Sequence, residues 1–317
     1  MMTVVLHHYE GSLFSEKIRL MFGYYGLPWR SVEISPIMPR PDLMPLTGGY
    51  RRTPVLQHGA DIFCDTHAIS EYLDVLCPEK ALAPLALAHS ARSLAERADT
   101  HLFQVAVALC FQPAAVAPMM AALGPEMAEK FAADRAQLSG GRASIASLSP
   151  GAAEAALQAT LAPLERQLAV APFLLGAQPT IADFSVYHCL WLIARNPVVS
   201  SLLTPHEAVQ EWMGRLAAFG HGEVTPMSAA DALALGRDST PGALPAAWAG
   251  AQAVGADGPA LGAPVSVTPL DYGCIPVTGT LAYATDQLCG VDREDPVAGK
   301  VRVHFPRVGF ELKAETA

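Results

Sequence analysis

Thr53-Pro54-Val55-Leu56 and, nine residues later, Asp65-Thr66-His67-Ala68-Ile69-Ser70-Glu71-Tyr72-Leu73 constrain this chain more than any other stretch. The first reads as a proline-led strand. His58-Gly59-Ala60-Asp61 supplies a turn, a second short strand follows, and an acid and a hydroxyl open a helix. Ala68, Ile69, Tyr72 and Leu73 share one helical face. Thr66 is expected as the N-cap, its side chain accepting from the free amides of the first turn. Unpaired amides beside a short polar side chain also suit a small charged ligand. The block is therefore both a folding signal and a candidate binding site.

The residues around it extend the pattern. Val4 to His8 reads as a strand. Ser15 to Tyr25 reads as a helix with Ile18, Leu20, Met21, Phe22 and Tyr25 on a broad apolar face, stopped at Gly26-Leu27-Pro28. Trp29 to Ile34 is a second strand. Pro36 to Arg52 carries four prolines and Gly48-Gly49, so loop is expected. The order β-α-β-loop-β-β-α over residues 1–82 is that of a thioredoxin-like α/β domain.

With 317 residues the chain has room for two or three domains. It is 51% hydrophobic and only 16% charged, with an alanine excess that favours helix. Residues 87–236 read as an all-helical domain, with helices expected over Ala91 to Leu109, Pro125 to Leu138 and Pro150 to Leu168, and a polar loop over Ser139 to Pro150. Thr180-Ile181-Ala182-Asp183 and Ser228-Ala229-Ala230-Asp231 carry capping boxes. Residues 238–317 read as a Gly/Pro-rich linker and a small antiparallel β-rich extension, with β-branched residues alternating from Val265 to Leu312 and turns at Asp271-Tyr272-Gly273 and Pro296-Val297-Ala298-Gly299. A unit of this size has a marginal core alone, and it is expected to dock on the helical domain.

A net charge of −9 speaks against a nucleic-acid partner. The uncharged run from Leu102 to Pro125 is interrupted by Gln104, Gln112, Pro113 and Pro118, which argues for buried helices rather than a membrane span. Met1-Met2-Thr3 runs straight into Val4-Val5-Leu6 without a signal-peptide pattern. The six cysteines are scattered, with no C-x-x-C, and read as reduced thiols; a cytoplasmic location is expected. His7 and His8 point to opposite faces of one strand and cannot share a metal, so no metal is expected.

A thioredoxin-like half followed by an all-helical half, with these motifs in order, resembles the cytosolic glutathione S-transferase superfamily, serine-type and bacterial-like. The residues that carry the resemblance are Ser12-Leu13-Phe14-Ser15-Glu16-Lys17-Ile18-Arg19-Leu20, Gly26-Leu27-Pro28, Thr53-Pro54-Val55-Leu56, Asp65-Thr66 and the capping box from Thr180 to Asp183. It covers residues 4 to about 236, leaving the β-rich extension outside the family pattern.

The resemblance implies glutathione as co-substrate, a small hydrophobic electrophile as second substrate, and a homodimer. A free thiol with a pKa of about 8.5 is mostly protonated at neutral pH. A hydroxyl at a helix N-terminus favours the thiolate through its hydrogen bond and the helix dipole. Ser12 matches the family's position for that hydroxyl, although Leu13 replaces the common proline. Tyr9, near the end of the first strand, and Ser15 are the other candidates. Asp65 would accept from the γ-glutamyl ammonium, and Thr66 would donate to its carboxylate. Thr53 would pair its backbone with the cysteinyl residue, Pro54 would be cis, and Arg51 or Arg52 would meet the glycyl carboxylate. Phe14, Phe103, Cys110 and Phe111 are candidates for lining the electrophile site. The resemblance implies a transferase; a non-catalytic glutathione-binding or interaction protein of the same fold is the alternative, with a glutathione-dependent peroxidase or lyase third.

Overall fold

The structure, a computed structural model, describes residues 4–140, 148–249 and 258–315. The chain forms two compact units. One comprises Met1–Ile18, Gly26–Leu76 and Glu223–Ala317; the other comprises Arg19–Tyr25 and Cys77–Gly222.

The N-terminal elements are β1 (Val4–His8), α1 (Leu13–Tyr25), β2 (Trp29–Glu33), α2 (Met44–Thr47), β3 (Val55–His58), β4 (Asp61–Cys64) and α3 (Thr66–Leu76). They have the thioredoxin-like order the sequence predicts. β1 pairs parallel to β2 and antiparallel to β3, and β3 pairs antiparallel to β4. All five residues of β1 are buried. Each of its two histidines has a side-chain partner there: His7 Nε2 lies 2.9 Å from Gln57 Oε1, although its buried Nδ1 has none, and His8 Nε2 lies 2.8 Å from Ser31 Oγ. Burial holds His7 down at a pKa of about 4.

Two local expectations change. The first turn of α1 begins at Leu13, with Ser12 ahead of it, rather than at Ser15. The cap of α3 is Asp65, not Thr66. The Asp65 carbonyl accepts from Ile69 N–H at 3.0 Å and its Oδ1 from His67 N–H at 3.0 Å. Asp65 has φ +77, a left-handed conformation that Asp tolerates better than most residues. The loop before β3 also contains the single turn α2.

The second unit is helical: α4 (Ala88–Arg97), α5 (Phe103–Cys110), α6 (Pro113–Leu123), α7 (Pro125–Ser139), α8 (Pro150–Leu168), α9 (Ile181–Ala194) and α10 (Glu207–Ala217). A π-helical turn over Ala98–Leu102 breaks the single helix expected over Ala91 to Leu109. The capping box holds. Buried Asp183 accepts from Thr180 N–H at 2.8 Å, Thr180 Oγ1–H at 3.1 Å, Leu174 N–H at 2.8 Å and Trp212 Nε1–H at 2.9 Å. In the polar loop expected over Ser139 to Pro150, residues 141–147 lie outside the described residues. Among the described residues no single helix is long and apolar enough to cross a membrane.

The chain then returns to the first unit through β5 (Val224–Pro226), α11 (Ala229–Arg237), α12 (Ala246–Ala249), β6 (Pro264–Pro269), β7 (Val277–Ala284), β8 (Leu288–Asp295), β9 (Gly299–Pro306) and β10 (Phe310–Ala314). The Ser228 hydroxyl caps α11 by accepting from Asp231 N–H at 3.0 Å.

Strands β6 to β10 pair antiparallel with one another, as the alternation predicts. They do not form a separate module docked on helices. β9 pairs parallel to β4 in the register Asp61↔Arg302, Ile62↔Val303, Phe63↔His304, giving one ten-stranded sheet in the order β10-β6-β7-β8-β9-β4-β3-β1-β2-β5. The physical reason is shared burial: Val55, Ile62 and Cys64 belong to the same core as Val291, Val303 and Phe305. The edge of β4 is thereby covered by this chain's own strand. Asp61 ties the seam, accepting from His304 Nε2 at 2.8 Å and from Gly242 N–H at 2.7 Å. Gly48, at φ +70, sits under the added strands; a Cβ there would approach the Arg293 guanidinium carbon to 2.6 Å and Val277 Cγ1 to 2.8 Å.

Candidate functional site

The N-terminus of α1 carries the expected hydroxyls. Ser12 Oγ accepts from Ser15 N–H at 3.2 Å, and the Ser12 carbonyl accepts from Glu16 N–H at 3.0 Å. This is an N-cap, and it leaves the hydroxyl proton for a ligand acceptor. Ser12 is only 4% exposed. One turn on, Ser15 is fully buried and its Oγ has no hydrogen-bond partner. A buried hydroxyl without a partner is costly. Tyr9 is partly exposed, and its carbonyl accepts from Ser12 N–H at 3.2 Å.

The second pole is the start of α3. Thr66 is buried, and its Oγ1 accepts from Lys17 Nζ at 3.3 Å. Lys17 lies on α1, five residues beyond Ser12 in sequence, or about 7 Å along a helix axis. This bond ties the second turn of α1 to the start of α3. Lys17 stands inside the Ser12–Leu20 motif, yet its sequence pattern names no role for it. A buried ammonium, a helix N-terminus and a hydroxyl together favour a carboxylate.

Thr53-Pro54 is cis, as the resemblance implies. Ahead of it, Arg40 Nη1 donates to Thr53 Oγ1 at 2.9 Å and to the Arg51 carbonyl at 2.8 Å. Arg51 and Arg52 are both buried, not solvated loop cations.

Arg52 is gripped by the turn between β6 and β7. It forms an ion pair with Asp271, donates from Nε to the Tyr272 carbonyl at 3.1 Å, and lies under the Tyr272 ring with 4.0 Å from guanidinium carbon to ring centroid. Asp65 Oδ2 is 3.9 Å from Nη1. Burial works against the Arg52 charge, but Tyr272, Tyr50, Asp271 and Asp65 outweigh it and hold its pKa above the ordinary value. The Tyr272 phenol is pushed up to about 12, chiefly by burial and against the pull of Arg52. The sequence marks Asp271-Tyr272-Gly273 only as a turn. Nothing in its spacing signals a partner more than two hundred residues upstream.

Burial raises the Cys64 thiol well above its usual range and Cys110 to about 12, which makes both poor nucleophiles. In the helical unit Phe103 and Cys110 are buried and Phe111 is exposed; in the first unit Phe14 is partly exposed. Among the described residues no His, Cys, Asp and Glu group has the arrangement of a metal site.

The geometry agrees with comparisons to known proteins. Residues 6–81 match the family model for the glutathione S-transferase N-terminal domain, and residues 115–215 match that for the C-terminal domain. A crystal structure of a GST-like protein from Pseudomonas syringae shares 35% identity over 99% of this chain and 100% of that chain, with a TM-score of 0.82. That match necessarily includes the C-terminal strands. The glutathione transferase GSTFuA3 from Phanerochaete chrysosporium shares the fold at 19% identity, covering 68% of this chain and 97% of its own, with a TM-score of 0.55. A glutathione S-transferase from Rhodospirillum rubrum does so at 18% identity, covering 68% and 88%, with a TM-score of 0.50. No functionally curated protein matches the chain. The two domain models, and the full-length likeness to the Pseudomonas syringae protein, establish that this chain belongs to the glutathione S-transferase family.

Proposed function

We propose that the chain is a serine-type glutathione transferase that joins the glutathione sulfur to a small hydrophobic electrophile. The observation that most supports this reading is the Lys17–Thr66 bond, which ties the helix that follows Ser12 to the start of α3. Bound glutathione supplies the nucleophilic sulfur. Ser12 donates its hydroxyl proton in a hydrogen bond to that sulfur and, with the α1 N-terminus, favours its anionic form. Tyr9 and Ser15 are the other candidate donors. Thr66, the first α3 amides and Lys17 hold the γ-glutamyl carboxylate, while Asp65 accepts from its ammonium. The Thr53 backbone before cis Pro54 aligns the cysteinyl unit.

The test is calorimetric titration with glutathione followed by turnover over a panel of electrophiles and peroxides. Saturable binding that Asp65→Asn weakens at least tenfold, with conjugation that Ser12→Ala slows, supports the reading. Binding without turnover points to the non-catalytic alternative, and peroxide turnover alone to a peroxidase. Absence of binding refutes the whole assignment. The proposal includes a homodimer, to which exposed Leu85, Leu87 and Leu94 of the helical unit offer apolar surface. It also places the protein in the cytoplasm, a reducing setting that suits its six free cysteines.

A further inference from the structure

Arg52 is the guanidinium that adjoins Asp65, and four of its donors point to the Asp271-Tyr272 turn of this chain. An arginine offers five N–H groups in a fixed fork. Here Nε points to the Tyr272 carbonyl. Nη2 donates to the same carbonyl and to Asp271 Oδ1. Nη1 lies 3.5 Å from Asp271 Oδ2 and 3.9 Å from Asp65 Oδ2. The side chain is 8% exposed, whereas that of Asp271 is 56% exposed at the rim. The carboxylate of the C-terminal segment therefore occupies the place that a ligand carboxylate would take on Arg52.

Glutathione carries two carboxylates and one ammonium. The γ-glutamyl carboxylate has the α3 N-terminus, Thr66 and Lys17. The glycyl carboxylate gains nothing from Arg52 unless it displaces Asp271.

We infer that this site selects γ-glutamyl thiols through their γ-glutamyl and sulfur ends without reading a free C-terminal carboxylate at Arg52, because Asp271 of the β6–β7 turn already serves as its counter-ion. Thiols of this class whose C-terminus is amidated or esterified then lose no contact at Arg52. The inference rests on the glutathione reading above and adds a specificity role for the C-terminal strands.

Calorimetric titration of the full chain with glutathione, with its glycyl amide and with cysteinylglycine tests it. The amide is expected to bind within threefold of glutathione, and cysteinylglycine at least tenfold more weakly. Asp271→Asn removes the competing charge and is expected to improve glutathione relative to the amide by fivefold or more. If Arg52 read the glycyl carboxylate, amidation would weaken binding by about ten- to a hundredfold, the range of a charge-assisted hydrogen bond. A tenfold preference for glutathione over its amide in the wild-type chain overturns the inference while leaving the glutathione reading intact. Failure of all three to bind overturns both. The ligand series decides without any variant, so the folding of Asp271→Asn does not enter.

Discussion

Phe305→Ala tests whether the C-terminal strands and the thioredoxin-like strands are one folding unit. Phe305 is fully buried on β9, with its ring 5.9 Å from that of Tyr50 in an edge arrangement and 5.7 Å from that of Phe310. Tyr50 belongs to the N-terminal half, and both rings sit in the core shared with Val55 and Ile62. A phenylalanine of this kind buries about 150–200 Å², worth about 4–5 kcal/mol at about 25 cal/mol/Å². Phe→Ala substitutions in cores cost about 3–5 kcal/mol, and the edge contact with Tyr50 contributes about 1 kcal/mol. The expected loss is about 4 kcal/mol, a large fraction of what a domain of this size possesses. Hydrogen exchange on the full-length protein is the assay. The amides of β3 and β4 should lose protection together with those of β8 and β9, because β4 pairs with β9. Loss confined to β6–β10, or a total effect below about 1 kcal/mol, would refute the claim of a common core.

Two further predictions concern buried polar groups. His7 is held near a pKa of about 4 by burial, against an ordinary value of 6.5. Between those values the unfolded chain binds the proton and the folded chain does not. Stability therefore falls as pH drops from 6.5 toward 4, by about 3 kcal/mol over that window; urea unfolding of His7→Gln should show a flatter acid limb than wild type. Asp183 satisfies four donors from within the helical unit, and Asp183→Ala should cost that unit about 3–5 kcal/mol in thermal or urea unfolding, because the buried donors of Leu174, Thr180 and Trp212 lose their acceptor.

What is legible in the sequence is what local chemistry decides. The capping boxes at Thr180–Asp183 and Ser228–Asp231, the stop at Gly26-Leu27-Pro28, and the strand–turn–strand–helix run from Thr53 to Leu73 all signal within a few residues. Ser12 is reached only through the family resemblance, because the local pattern starts the helix at Ser15 and the structure starts it at Leu13. Asp65 displaces Thr66 as cap because its left-handed backbone aims its own carbonyl and carboxylate at the helix, which residue type alone does not disclose. The parallel pairing of β9 with β4 is invisible for another reason. Alternation shows which residues of a strand face a core, but not whose core, and Ile62 and Val303 are separated by most of the chain. The grip of Asp271 and Tyr272 on Arg52 follows from that pairing and is hidden with it. β5 is too short, and its proline too uncharacteristic, to stand out between helices.

The most direct test of the account is the ultraviolet absorbance of thiolate in bound glutathione, titrated with pH in wild type, Ser12→Ala and Ser15→Ala. The account predicts that the bound thiol ionises below the free value of about 8.5 and that Ser12→Ala raises its pKa by at least one pH unit, with a smaller effect for Ser15→Ala. Binding of glutathione with an unshifted thiol, or a lowered pKa that survives in Ser12→Ala, would contradict the role assigned to the α1 N-terminus.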